Sequence, residues 1–394
     1  MSAGAPIRSG SLSTAALSQT RGVLSGNVRE LLSLASRGLV AMFDTEKQLF
    51  CHRLLRTEHG IVREGLSPRY TIMTLLGLRG LELVGMDSPF DIQGIYASFV
   101  ANTKWIQGVG DFGLLIWLAA AFGPKDLENL FRKFDCETVL DRFPDAREGR
   151  TMELAWFLAG LAHAAEACPA LVGSLTDVSV EAYHRLVENQ GEYGLFGHMS
   201  GKKSLRGRLR GRIGSFADQV YPIYGFSKFA KAFDVEDPLG PALECAAAIC
   251  GAQGKFGQWW WLYDAQSGRV SSRYPVYSVH QHGMAPMCLF ALEETTGQSF
   301  RDPIRRGLNW IYGENELCAD MRDGASNLIW RCILPQNRQT KFWEMAISVI
   351  RPPTQDKQAD SLEVLHEQRP YEYGWLLYSL ARNSLTGSLA NSTV

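Results

Sequence analysis

The chain has 394 residues, of which 46% are hydrophobic, 11% aromatic and 21% charged, and its formal net charge is −1. This is enough apolar material for a large core, and the near-neutral charge argues against a general nucleic-acid binder, which needs a strongly positive surface. No uncharged apolar run reaches about 18 residues, so the sequence predicts no membrane span.

Residues 1–24 are small and Ser-rich and lack the apolar segment of a secretory signal, so we expect them to form a flexible tail. The eight cysteines are scattered, with no C-x-x-C pair. This spacing favours reduced thiols in a cytoplasmic protein over a disulfide framework or a zinc site. We therefore expect neither a metal nor another cofactor.

Two kinds of predicted helix alternate along residues 25–385. The amphipathic kind, which we call outer, covers Asn27–Phe43 with Glu46–Arg56, then Phe90–Asn102, Leu127–Phe134, Val178–Glu188, Pro241–Cys250 and Phe300–Ile311. The kind that is apolar all round, which we call inner, begins near Pro68, Gly110, Thr151, Phe216, His280 and Pro370. A helix without a polar face must be surrounded by other elements, whereas an amphipathic helix covers a core.

Six repeats of an outer helix followed by an inner helix predict an all-α fold, an (α/α)6 toroid, as one domain. Residues 386–394 are expected to form a frayed tail. The long connections run from an outer to an inner helix: Asn189–Ser215, Gly251–Val279 and Gly313–Gln368. All of these emerge on the face that holds the inner-helix N-termini, which we call the mouth, and long loops commonly carry function.

A β-hairpin is predicted within one of these long connections. Its strands are Trp259–Tyr263 and Val270–Tyr277, joined by turn residues Asp264–Gly268. The following inner helix starts with His280, Gln281 and His282, and Pro286 fits only its first turn.

The alternating pattern resembles the six-hairpin (α/α) toroid superfamily, which includes terpenoid cyclases, prenyltransferases, sugar epimerases, glycoside hydrolases and polysaccharide lyases. Gln253-Gly-Lys-Phe-Gly257-Gln-Trp259 is similar to the Q-x-x-x-G-x-W repeat of squalene cyclases, and Gln190-Gly-Glu-Tyr-Gly194-Leu-Phe196 is a weaker copy. In that family the repeat is structural and ties outer helices to the following turn. The D-x-D-D acid motif of class II cyclases is absent from the sequence.

The candidate catalytic residues are acids and histidines in the first turns of inner helices. They are Glu153, Asp218, Glu372, His280 and His282. Carboxylates at such positions also cap helices, because a helix N-terminus favours negative charge. Several of them around one opening, however, would raise some pKa values and supply a general acid and a general base.

Other polar and aromatic side chains at the same positions are candidates for binding a substrate. They are Arg69, Tyr70, Asp111, Tyr221, Tyr224, Trp260, Gln281, Tyr371 and Tyr373. The basic segment 202–212 adds Arg208 and Arg210, which could bind an anion or simply remain solvated.

These patterns favour a carbohydrate-active enzyme of the epimerase, lyase or glycosidase type, acting on a small molecule or oligosaccharide. The alternative is a cyclase-like or prenyltransferase-like enzyme that needs a deep apolar cavity for a prenyl chain. A third hypothesis is a binding scaffold whose mouth residues only cap helices. A homodimer is compatible with the sequence.

Overall fold

A computed structural model describes residues 27–133, 138–200, 211–336 and 361–385. The two tails predicted from the sequence, as well as Arg208 and Arg210, lie outside these described residues.

Six pairs of an outer and an inner helix follow one another along the described chain. The outer helices are α1 (27–38), α3 (Ile92–Ala101), α5 (Pro124–Lys133), α7 (Val172–Val187), α9 (Leu239–Gly251) and α11 (Arg301–Ile311). The inner helices are α2 (Pro68–Leu83), α4 (Val109–Phe122), α6 (Thr151–Ala167), α8 (Phe216–Phe233), α10 (280–296) and α12 (Pro370–Leu385). The first five residues of α10, His280–Met284, form a π-helical turn.

The inner helices form a closed ring. Each contacts the next one along the chain, from α2 to α4, α6, α8, α10 and α12, and α12 contacts α2. The (α/α)6 toroid predicted from the helix pattern is thereby confirmed.

Glycines bring two pairs of inner helices unusually close together. A Cβ atom on Gly77 of α2 would lie 2.2 Å from the carbonyl oxygen of Gly374 on α12. On α4, a Cβ on Gly113 would lie 2.3 Å from the Cα of Phe157 on α6. Only glycine fits at such backbone contacts, so these positions let α2 pack closely against α12 and α4 against α6.

Side-chain caps fix where the inner helices begin. Ser67 accepts a hydrogen bond from the backbone of Tyr70 (3.2 Å) ahead of Pro68 in the first helical position. Ser215 and Asp218 form a reciprocal capping box at the start of α8. The carboxylate of Asp145 accepts from the backbone N–H of Val109 (3.0 Å) and so caps α4 from outside.

Every strand of the described chain lies in a connection from an outer to an inner helix. Between α1 and α2 lie β1 (Phe43–Asp44), β2 (Leu49–Thr57) and β3 (Gly60–Leu66), and β4 (Ile213–Ser215) precedes α8. Between α9 and α10 lie β5 (Leu262–Asp264), β6 (Arg269–Ser272) and β7 (Val276–Tyr277). Before α12 lie β8 (Arg322–Asp323), β9 (Leu328–Ile329), β10 (Cys332–Pro335), β11 (Leu362–Leu365) and β12 (Glu367–Gln368).

Two details of the predicted fold are corrected by these strands. The segment Glu46–Arg56 is not helical, because most of it belongs to β2, which pairs with β1, β3 and β12. The predicted hairpin exists, but it is shorter than expected: β5 and β6 pair around the turn Asp264–Gly268, and Trp259 to Trp261 lie outside the strands. The helix-rich fold therefore carries several small sheets at the mouth in addition to the predicted hairpin.

The Q-x-x-x-G segments join neighbouring outer helices, as the resemblance implies. The Gln253 amide donates to the carbonyl oxygens of Gly257 and of Pro303 on α11, both at 2.9 Å. Gln190 repeats this arrangement with Gly194 and with Pro241 on α9, again at 2.9 Å. Each segment thus fastens one repeat to the next on the outside of the ring.

Among the described helices, none has the length and apolar character required to cross a bilayer.

Candidate active site

Two carboxylates from adjacent inner helices form the centre of the mouth. Glu153 lies in the first turn of α6 and Asp218 in the first turn of α8, and both are buried, with relative exposures of 8% and 1%. Within the described chain, Oε2 of Glu153 and Oδ1 of Asp218 have no hydrogen-bond partner. Buried oxygens without partners are costly unless a ligand or solvent satisfies them, so this pair is suited to receive one.

His198 is the third member of this group. Its Nδ1 lies 3.3 Å from Oδ2 of Asp218, which also accepts from the backbone N–H of Ser215 at 2.8 Å. The hydrogen bond to Asp218 and the nearby Glu153 raise the pKa of His198. Burial, together with the charge of Asp218, raises the pKa of Glu153. The arrangement therefore couples a carboxyl group with a raised pKa to a second carboxyl group and an imidazole.

A cation borders these carboxylates on one side. Nε of Arg69, at the start of α2, lies 2.7 Å from Oδ1 of Asp111 in the first turn of α4. The other oxygen of Asp111 accepts from the backbone N–H of Gln107 at 3.0 Å. The Arg69 guanidinium also lies 5.4 Å above the ring of Trp156. Arg69 and Asp111 thus form an ion pair next to Glu153.

The opposite side of the mouth holds a network of arginines and glutamates. Nη1 of Arg331 lies 2.6 Å from Oε1 of Glu372, and both side chains are buried. Glu367 lies 3.5 Å from Arg331 and 2.6 Å from Nε of Arg369. Burial raises the pKa of Glu372 to about 7, although Arg331 favours its charged form. Glu372 is fully buried and engaged by Arg331, so its carboxylate faces this network.

Two tyrosines connect the network to the first side of the mouth. The hydroxyl of Tyr70 accepts from Nη1 of Arg369 at 2.9 Å, and the rings of Tyr70 and Tyr371 lie 4.6 Å apart. Because Tyr70 is adjacent to Arg69 in α2, the network reaches the Arg69–Asp111 pair.

His280 connects the start of α8 to the arginine network through its aromatic neighbours. Its ring lies 4.5 Å from Phe216 at the start of α8 and 5.1 Å from Tyr277, and Arg331 lies 5.0 Å above the Tyr277 ring. Burial lowers the pKa of His280 to about 3. These contacts link the first turns of the inner helices at the mouth, and His280 contributes a buried imidazole there.

Aromatic side chains form the floor of this opening. Tyr221 packs against Trp156 and Trp375, at ring distances of 5.2 and 6.0 Å. Below them, Trp117 stacks on Tyr224 at 4.9 Å. Since these residues come from α4, α6, α8 and α12, they occupy the centre of the ring.

Hydrogen bonds hold this aromatic layer together. The hydroxyl of Tyr224 lies 2.7 Å from Nε2 of His163 and 2.6 Å from the hydroxyl of Tyr378. Beneath them, Glu166 pairs with Lys228 at 3.1 Å. The ring is therefore filled with linked side chains below the mouth, and Tyr224 belongs to that filling.

Four further candidates lie away from the opening. Gln281 faces α11, because its Oε1 would be 3.5 Å from a Cβ on Gly307. His282 is fully buried, and burial lowers its pKa to about 3, with no charged group among the causes. Tyr373 donates to the carbonyl of Asn327 at 2.9 Å. The remaining one, Trp260, donates to the carbonyl of Ala252 at 2.7 Å.

Three important members of the mouth were not among the sequence candidates. His198, Arg331 and Arg369 lie in connections between helices or just before a helix, where no periodic pattern marks them. All three are charged or imidazole side chains in the long outer-to-inner connections. The loop lengths had already assigned those connections to the mouth. Within the described residues, no group of three His, Cys, Asp or Glu side chains is arranged to hold a metal ion.

The comparisons with known proteins agree on the architecture. No family model matches the sequence, and no curated protein matches it significantly. A sugar epimerase from a ruminal bacterium has a similar structure, with a TM-score of 0.60 and 10% identity over 91% of this chain and 99% of that one. The unsaturated glucuronyl hydrolase of Bacillus sp. GL1 has a TM-score of 0.57 and 14% identity, over 90% of this chain and 95% of that chain.

A third similar structure is an unsaturated glucuronyl hydrolase specific for heparin, with a TM-score of 0.56 and 14% identity over 93% of this chain and 98% of that one. The chain thus has the (α/α)6 toroid fold that these proteins share over nearly their full lengths. At such identities the likeness defines the fold alone.

Proposed function

We propose that the protein is a carbohydrate-active enzyme that performs acid–base chemistry on an acidic sugar at the mouth of its toroid. The observation that carries this proposal is the buried pair Glu153 and Asp218 beside His198, in which one oxygen of each has no partner among the residues that the structure describes. A carboxyl group with a raised pKa next to a charged partner is the arrangement that general acid–base catalysis requires.

In this proposal Glu153 donates a proton to the reacting sugar, and Asp218 with His198 accepts one from the attacking water. Hydrolysis needs both transfers: one proton reaches the leaving oxygen or the sugar ring, and one leaves the water. The raised pKa of Glu153 keeps its proton available at a pH where an exposed glutamate has lost it.

An acidic substrate is supported by the cations around the carboxylate pair. Arg69 and Arg369 border the opening, with side chains 38% and 21% exposed. Each has guanidinium donors beyond those used for Asp111 and Glu367, and arginine pairs well with carboxylate and sulfate groups. The similar glucuronyl hydrolases are named for an acidic sugar, which agrees with this choice.

The filled ring argues against the cyclase alternative. A prenyl chain needs a deep apolar cavity, but Trp117, Tyr224 and Tyr378 meet in the ring below the floor. An epimerase remains the second candidate, because His198 offers a second titratable group near Glu153.

Purified protein incubated with unsaturated glucuronyl disaccharides from heparin and chondroitin tests the proposal, with neutral disaccharides alongside. We expect the ultraviolet absorbance of the sugar double bond to fall with the acidic substrates, and no reducing sugar to be released from the neutral ones. Glu153→Gln and Asp218→Asn should each slow turnover by about 100-fold or more. Asp145→Asn is the matched control, because Asp145 caps α4 and an asparagine can do the same.

Exchange of sugar C–H for deuterium without cleavage would favour the epimerase. Absence of any reaction or binding across the panel would contradict a carbohydrate-active enzyme and favour the scaffold hypothesis.

A further inference from the structure

Gln219 follows Asp218 in α8, but its side chain serves a different purpose. It is fully buried and does not face the opening. Its Oε1 accepts from the backbone N–H of Phe196 at 2.7 Å, and its Nε2 donates to the carbonyl of Phe196 at 2.8 Å. Nε2 also donates to the carbonyl of Ser215 at 3.1 Å. One amide thus satisfies both backbone groups of a loop residue two positions before His198.

The rest of that loop is anchored to the start of α6. The backbone N–H of Thr151 donates to the carbonyl of His198 at 3.0 Å, and its hydroxyl donates to the carbonyl of Gly197 at 2.5 Å. The carbonyl of Asn189 accepts from Gly197 at 2.9 Å. The loop is therefore held between the first turns of α6 and α8, the two helices that carry Glu153 and Asp218.

We propose that Gln219 is a positioning residue that holds His198 against Asp218 and Glu153, a role that rests on the proposed acid–base function of this cluster. The two hydrogen bonds between this amide and Phe196 fix the loop relative to α8, so the imidazole and the Asp218 carboxylate move as one unit. Gly214 leaves room for this amide, because a Cβ at that position would lie 2.7 Å from Nε2.

The charged groups that face His198 are Asp218 from α8, Glu153 from α6 and Arg150 from the turn before α6. The two carboxylates favour the imidazolium form and Arg150 opposes it. If the loop loses its anchor on α8, the contact with Asp218 lengthens while the α6 anchor remains. The pKa of His198 should then fall towards that of a free imidazole.

The test measures the pKa of His198 by NMR titration in the full-length protein and in the Gln219→Met variant, which keeps the shape but loses all three hydrogen bonds. We expect a lower pKa in the variant. Gln253→Met is the matched control, because that amide also binds two backbone carbonyls but joins outer helices, and it should leave the pKa unchanged.

Activity on an acidic disaccharide provides the second measurement. Gln219→Met should lower kcat by about 100-fold, as expected when a catalytic group is misplaced. In a His198→Gln background the same substitution should add little, because both changes disturb one unit. The acidic limb of the pH profile, which reports the base, should move in the direction of the His198 pKa.

An unchanged His198 pKa in a folded Gln219→Met variant would overturn the proposal, as would additive losses in the double variant. Gln219→Glu keeps the acceptor but loses the donor, and it replaces the methionine variant if that one does not fold. If neither variant folds, the amide serves the fold and the proposal is wrong. Because the NMR measurement needs no substrate, it separates a failure of this proposal from a failure of the proposed function.

Discussion

The buried ion pair between Arg331 and Glu372 makes a prediction about stability and pH. The pKa of Glu372 is about 7 in the folded protein, against an ordinary value of 4.5. A carboxyl group with a raised pKa costs stability as the pH increases, because the unfolded chain loses its proton first. Between about pH 4.5 and pH 7 this cost grows to about 3 kcal/mol, and above pH 7 it stays constant.

Arg331→Met removes the cation that favours the charged form of Glu372. The pKa of the carboxyl group then rises above 7, so the loss of stability continues at about 1.4 kcal/mol per pH unit where the wild-type curve is flat. We expect the variant to be less stable than the wild type at every pH. The deficit should increase by about 3 kcal/mol between pH 7 and pH 9.

Denaturant unfolding of both proteins at a series of pH values measures this difference. Arg53→Met is the control, since Arg53 pairs with Glu367 at 3.0 Å but its side chain is 33% exposed. This substitution should lower the free energy of unfolding by about 1 kcal/mol or less, without changing how that free energy depends on pH. Parallel curves for Arg331→Met and the wild type would refute the reasoning, because Arg331 would then not control the protonation of Glu372.

Three further predictions concern other parts of the molecule. Asp218→Asn should lower the pKa of His198 in an NMR titration, because Asp218 is the main cause of its elevation; an unchanged pKa would contradict the observed contact. Gly113→Ala should destabilise the protein by about 3 kcal/mol in thermal unfolding, since the new methyl would lie 2.3 Å from the backbone of Phe157. Gln253→Met should lower the free energy of unfolding by about 2 kcal/mol through two lost hydrogen bonds, and a neutral effect would show that the outer seam does not stabilise the ring.

The ring could be predicted from the sequence because several inner helices carry local signals at their start. Ser67 with Pro68, and Pro370 in its helix, are local signals that need no tertiary information. The apolar circumference of these helices then requires a second layer around them. Helix period and caps together were sufficient for the architecture, with Glu46–Arg56 as the exception, since its short mixture of apolar and charged residues suits either period.

The site could be predicted only in part. The positions of Glu153, Asp218 and Arg69 at the mouth could be predicted because each belongs to a helix start whose face was already known, and their roles stay a prediction. His198 and Arg331 were not found, because their positions depend on how long loops fold back over the mouth. Gln281 and Tyr224 were also expected at the opening. In the structure Gln281 faces α11, and Tyr224 lies below the aromatic floor. Such placements are set by packing between helices, which a helical pattern alone does not specify.

The aromatic layer beneath the opening limits how a bound molecule can enter and leave. Because Trp117, Tyr224 and Tyr378 block the axis of the ring, a bound molecule can leave only by the way it entered. A long polymer could therefore not thread through the ring. Product would also have to leave the mouth before the next substrate molecule could bind.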